Sequence, residues 1–189
     1  MVRRPASHLS PFEERHLHLS GCLLLDPDTR PAGLTALERA RAAPMTISVD
    51  PSSHAPLGRV GAGAFRTWTR GVDVLLPNLD EGRVLTGATD PEAIVAGLTG
   101  DYGAVVLSLG PAGALWARGA ERQRLAAPPA PVVDTTGAGD AFTAGWLAAW
   151  LGGAPPAEAL AAGAAAAATA ISEVGGRPPR ARRPRRTGP

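Results

Sequence analysis

Residues 16–25, HLHLSGCLLL, begin with apolar and polar positions in alternation and end in an unbroken apolar run, which predicts a strand entering the interior of a sheet. A turn rich in Pro and Asp, DPDTRP, follows. AGLTALERARAA then places Leu34, Leu37 and Ala40 on one side of a helix, with Arg and Glu on the other. MTISVD at 45–50 predicts the next strand, and the Pro, Ser and Gly of residues 51–61 predict a loop. AGAFRTWTRGV has the spacing of a short amphipathic helix carrying Phe65 and Trp68. VDVLLPN at 72–78 predicts a buried strand stopped by Pro77, and LDEGRVLTG one or two helical turns ended by Gly87. TDPEAIVAGLTG opens on a capping pattern, Thr89 or Asp90 followed by Pro91 and Glu92. YGAVVLSLG at 102–110 predicts another strand, and GALWAR and RQRLAAP two shorter antiparallel ones. A long helix is expected from about 138 to 151 and a second from about 156 to 173.

Strands alternating with helices imply an α/β fold, with crossover connections, a largely parallel sheet and helices on both faces. Length argues for one domain, placed at residues 16–176. In such sheets ligands sit beyond the carboxyl ends of the strands. Asn78, Ser108, Gly110 and the run Gly137–Asp140 fall at those ends.

Composition narrows the chemistry. All 19 basic residues are Arg, so a Walker-type site, which needs a lysine on the phosphates, is excluded. Six of the Arg residues lie in the last thirteen positions, and without them the net charge of +2 becomes −4. Residues 177–189 are therefore expected to be a solvated, disordered tail, with a nucleic-acid contact as the weaker reading. Residues 1–15 are expected to be poorly ordered; they hold no apolar stretch of signal-peptide length, and no run in the chain reaches a membrane span. A single cysteine, Cys22, excludes an internal disulfide and, among apolar neighbours, is expected to be a small core residue. A cytoplasmic protein follows from these features.

The stretch VVDTTGAGDAFTAGW at 132–146 carries the sharpest signal. Gly137, Ala138 and Gly139 let the main chain approach a ligand, and their N–H groups at a helix start form an anion cradle reinforced by the helix dipole. A carboxylate at Asp140 is stabilised by the same dipole and is fit to accept a proton from a hydroxyl. Cradle and base together suit the transfer of a phosphoryl group to an alcohol. The plainer alternative is a tight turn with an acidic first helical turn.

DTTGAGDAFTAGW resembles the C-terminal signature of the PfkB/ribokinase family of carbohydrate and nucleoside kinases. PNLDE at 77–81 is similar to the family's N-x-x-E motif, and LSLGPAGALW at 107–116 to its T-x-G-x-x-G nucleotide loop, with Ser108 in place of the usual Thr. The resemblance implies a ribokinase-like fold and an ATP- and Mg²⁺-dependent sugar kinase. It implies Asp140 as general base, Gly137, Ala138 and Gly139 as the anion hole, and Ser108, Gly110 and Gly113 on the nucleotide. Asn78 and Glu81 would organise Mg²⁺ and its waters, although Glu81 alone also fits a solvated helix-start carboxylate. Asp134 and the Thr136 carbonyl, with the loop at 174–176, fall where many members bind a monovalent cation such as K⁺. The adenine would lie between the 108–113 loop and the 160–171 helix.

The resemblance runs from about residue 16 to about residue 180 and covers the C-terminal part of the family's pattern. The Gly-Gly motif and Asp that grip the sugar, and the lid that often forms a homodimer contact in full-length members, are expected in the part that is missing. The expected partners are thus ATP and a small sugar or sugar-like substrate, without membrane or nucleic acid. The alternative is an inactive remnant that keeps the fold and at most weak nucleotide binding.

Overall fold

The structure is a computed structural model that describes residues 16–175. The expectations for residues 1–15 and 177–189 lie outside the described residues. The chain divides into two compact units, one running to Leu109 and including Leu115–Arg122, the other formed by Gly110–Ala114 and the residues from Gln123 onward.

The first unit is built from β1 (His16–Ser20), α1 (Cys22–Leu25), α2 (Arg30–Ala42), β2 (Thr46–Asp50), α3 (His54–Val60), α4 (Ala62–Thr69), β3 (Val74–Leu75), α5 (Leu79–Thr86), α6 (Pro91–Leu98) and β4 (Ala104–Ser108). β5 (Ala114–Arg118) and β6 (Glu121–Leu125) complete a six-stranded sheet of order β1-β2-β3-β4-β5-β6. β1 to β4 pair in parallel, with His16 opposite Thr46, Ser48 opposite Val74, and Val74 opposite Ala104. Parallel neighbours in sequence order require a crossover at each step, and the helices supply it. The two-residue connection between β5 and β6 can only join antiparallel strands.

Alternation along the strands decides what each face carries. Leu19, Ile47, Val49, Leu75, Val105 and Leu107 point into one core with Leu24, Leu37, Leu57, Phe65, Leu85, Ile94 and Leu98. The intervening positions of β1 and β2 are polar. His16 shares hydrogen bonds with Thr46 and Ser48, and His18 with Ser48, each 2.8 Å long. This pairing explains why HLHLS alternates, and burial together with the neighbouring His18 lowers the His16 pKa.

Two segments differ from the sequence expectation. The strand predicted over 16–25 ends at Ser20, and CLLL closes a helical turn whose Leu24 and Leu25 carbonyls accept from Arg30 at 2.7 and 3.2 Å. A short apolar run fits either element, and here the helix wins because its last carbonyls find a partner. Cys22 is consequently exposed rather than part of the core. Residues 54–60, expected as loop, form α3 with Leu57 fully buried. Pro56 stands in its first turn, where a missing N–H costs no helical bond. The α6 cap is as predicted: Asp90 accepts from the Ala93 N–H at 3.0 Å and Pro91 follows it.

The second unit holds a 3-10 turn at Gly110–Ala112 and two long helices, α7 (Ala138–Leu151) and α8 (Pro156–Ile171). The pair packs through small residues. A Cβ on Gly145 would lie 2.8 Å from the Ala162 carbonyl and from Ala166 Cβ, and one on Gly163 2.9 Å from the Phe142 carbonyl. Gly145→Val is therefore expected to lower the unfolding free energy by about 1–3 kcal/mol, read from urea titration, while Gly139→Ala, whose Cβ would meet nothing within 4 Å, leaves the packing intact. Among the described residues no helix is long and apolar enough to cross a membrane.

Candidate functional site

In the first unit the carboxyl ends of β2, β3 and β4 gather Asp50, Asn78, Glu81 and Ser108. Beyond Leu75 the strand pairing resumes as a parallel bridge between Asn78 and Ser108, and the Ser108 N–H donates to the Pro77 carbonyl at 3.0 Å. Two motifs that lie thirty residues apart in sequence thus share one sheet end.

α5 starts directly at that end because PNLDE is a capping box. The Asn78 side chain accepts from the Glu81 N–H, and the Glu81 carboxylate accepts from the Asn78 N–H, both at 2.9 Å. The reciprocal pair satisfies two N–H groups at the helix start and fixes both side chains. Glu81 is only 2% exposed, so the alternative of a solvated carboxylate does not describe it. Burial pushes its pKa up to about 7, the hydrogen bonds from Asn78 oppose this, and the negative charge of Asp50 adds to the rise.

Asp50 was not singled out from the sequence. Its signal was present, an acid at the carboxyl end of the predicted strand MTISVD, but its proximity to Glu81 depends on the β2–β3 register. Carboxylate and amide oxygens are the donors a hard divalent cation takes, and Mg²⁺ commonly draws only one or two carboxylates from protein when phosphate oxygens and water supply the rest. The residues present fit that ion. No three His, Cys, Asp or Glu side chains converge as a metal cage among the described residues.

In the second unit Gly110 and Gly113 both have positive φ, +57° and +94°, and the Gly113 N–H closes the turn on the Gly110 carbonyl at 3.0 Å. A Cβ at Gly113 would collide with the Leu125 carbonyl and lie 2.8 Å from Ala126 Cα. Glycine is required there by conformation and by space together.

α7 begins at the predicted residue. Gly137 caps it in the left-handed region (φ +79°, ψ +2°) and its carbonyl accepts from the Ala141 N–H at 2.9 Å. The Ala138 N–H is engaged by the Thr135 carbonyl at 3.2 Å. Gly139 and Asp140 are exposed in the first turn, where main-chain N–H groups have no partner within the helix. The open space over Gly139 leaves the helix mouth accessible.

Asp134, unlike Asp140, is engaged by main-chain N–H groups on both carboxylate oxygens. One of its carboxylate oxygens accepts from the Thr136 N–H at 2.9 Å and the other from the Gly175 N–H at 3.0 Å. The Ile171 carbonyl accepts from the N–H groups of Val133 and Asp134 at 2.8 and 3.2 Å. The loop before α7 is thus tied to the segment after α8, and the hydrogen bonds from Thr136, then Gly175, hold the Asp134 carboxyl below its ordinary pKa. Asp134, Thr136 and Gly175 stand together, as do Gly137, Ala138, Gly139 and Asp140.

Comparison with known proteins points the same way as the motifs. A family model described as pfkB family carbohydrate kinase matches residues 5–182. Fructoselysine 6-kinase of Escherichia coli (strain K12) is 44% identical over 69 residues, which cover 36% of this chain and 26% of that protein. The ATP-dependent 6-phosphofructokinase of Thermoanaerobacterium thermosaccharolyticum is 32% identical over 134 residues, 68% of this chain and 41% of that protein. The crystal structure of adenosine kinase from Sinorhizobium meliloti superposes with a TM-score of 0.81 at 29% identity, covering 87% of this chain and 51% of that one. The chain spans less than half of the length of these curated relatives and about half of that solved structure.

Proposed function

The chain belongs to the pfkB family of carbohydrate kinases, and on that premise we propose that it transfers the terminal phosphoryl group of ATP to a hydroxyl of a sugar or sugar-like substrate, with Asp140 as general base. The observation that carries this reading is the seven-residue run DTTGAGD, set so that Gly137 caps α7 and Asp140 stands exposed in its first turn.

The chemistry follows from that arrangement. The N–H groups at Gly137 and Gly139 and the dipole of a fourteen-residue helix favour negative charge at the helix mouth. Ala138 contributes less as a donor than its neighbours, because its N–H is held by Thr135. Asp140 accepts the proton of the attacking hydroxyl as the new P–O bond forms, and the bond from phosphorus to the leaving ADP oxygen breaks. The reading assigns Ser108, Gly110 and Gly113 to the nucleotide. Asp50, Asn78 and Glu81 would hold Mg²⁺ and its waters, which supply charge neutralisation on the phosphates when bound. Asp134 and the Thr136 carbonyl are the candidate K⁺ ligands. Asp134 also fastens the loop that leads into α7, so Asp134→Ala is expected to loosen that loop with or without a cation.

The second reading is nucleotide binding without phosphoryl transfer. Calorimetry with ATP and Mg²⁺ beside an ADP-release assay over a panel of hexoses, hexose phosphates and nucleosides separates the two. Sugar-dependent ADP release supports the kinase; heat of ATP binding without release supports the second reading.

A further inference from the structure

Among the described residues Ser52 is the one non-glycine with a left-handed backbone, φ +70°. Side chains adopt that region at a cost, and such strain persists where neighbouring contacts over-determine it. At Ser52 those contacts are specific. Its N–H donates to Asp50 Oδ1 at 2.7 Å, and its hydroxyl lies 3.2 Å from the Asp50 carbonyl and 2.8 Å from the Ser20 hydroxyl. The Gly21 N–H donates to the same Asp50 carbonyl at 2.6 Å, and a Cβ on Gly21 would lie 2.5 Å from the Pro51 carbonyl. The turn after β2 is thereby pressed against the end of β1.

Reversing the chain needs none of this, since glycine at position 52 would take the same φ without strain. What serine adds is the hydroxyl link to Ser20. The need for a link is electrostatic. Asp50 and Glu81 carry like charges, so an unrestrained Asp50 gains by swinging its carboxylate away into solvent. We propose that Ser52 is a positioning residue, latched to Ser20 across β1 and β2, that keeps the Asp50 carboxylate turned toward Glu81 so that a divalent cation meets both already oriented. The inference rests on the reading of Asp50 and Glu81 given above.

The test is Mn²⁺ binding by the full chain at pH 8 without nucleotide, followed by electron paramagnetic resonance of the free ion, beside thermal unfolding of each variant. Ser52→Gly and Ser20→Ala are each expected to weaken Mn²⁺ binding about three- to tenfold, the range of one net hydrogen bond. Ser52→Gly relieves the strained φ, so its thermal midpoint is expected to stay level or rise while its metal affinity falls. A purely structural serine would not move the two in that way. If both variants bind Mn²⁺ like the parent while Asp50→Asn binds it more weakly, Asp50 needs no latch and the proposal is overturned. If Asp50→Asn also binds like the parent, Asp50 is not a ligand, and the proposal falls together with that part of the metal reading, leaving Asp140 to be judged by phosphoryl transfer.

Discussion

Asp140→Asn is expected to leave ATP affinity little changed and to lower turnover by about 10²–10⁴-fold, the range that a positioned base contributes. The substitution preserves the size of the side chain and its place in the first turn of α7, while removing the one group there that can take a proton. α7 keeps its Gly137 cap and its hydrogen bond from Ala141. Since Asp140 is exposed, the fold has little to lose. Thermal unfolding indistinguishable from the parent, ATP binding close to the parent and turnover near background would together identify the role. A variant with undiminished turnover would remove Asp140 from the mechanism and return TTGAGD to the status of a tight turn.

Glu81→Gln is expected to move stability and activity in opposite directions. Glutamine in place of Glu81 still serves the capping box but carries no charge into a site that is 2% exposed. The folded carboxyl titrates at about 7, against 4.5 for an unperturbed glutamate. Between those two values the unfolded chain has released the proton that the folded chain still holds. The contribution of Glu81 to stability is therefore fully present below pH 4.5 and is lost as pH rises through about 7. On the order of 3 kcal/mol separates the two ends of that window. Unfolding free energies measured by urea at pH 4.5 and pH 8 are expected to show the loss in the parent and to show it largely removed in Glu81→Gln. Activity at pH 8 is expected to fall steeply in the same variant, since the amide cannot neutralise a divalent cation. If the variant is destabilised at pH 8, the buried carboxylate is not the liability described; if it retains full activity, Glu81 is a cap and nothing more.

What the sequence disclosed and what it withheld differ for physical reasons. The helix start at DTTGAGD was legible because it depends on contiguous main-chain geometry, and the helix begins and ends where its pattern predicts. The cap at Asp90 was legible on the same ground, as a local interaction between near neighbours. CLLL and HAPLGRV were misread. The first is too short for its period to distinguish strand from helix, and the second hides a helical turn behind Pro, Ser and Gly whose positions suit a helix start. Burial of Glu81 was not legible, because it comes from α5 starting at the end of β3, a tertiary fact. The placing of Asp50 and Ser52 was not legible for the same reason, as it depends on the register of β1, β2 and β3. The polar alternation of His16 and His18 was visible, but its partners Thr46 and Ser48, thirty residues away, were not.

The most direct test of the account is phosphorus NMR of the chain incubated with ATP, Mg²⁺ and the panel of sugars, sugar phosphates and nucleosides, with Asp140→Asn run in parallel. A new phosphoester resonance that appears with one class of acceptor, together with the resonances of ADP, and fails to appear with Asp140→Asn, is the predicted result. ATP that stays intact with every acceptor, or a phosphoester formed equally by Asp140→Asn, would contradict it.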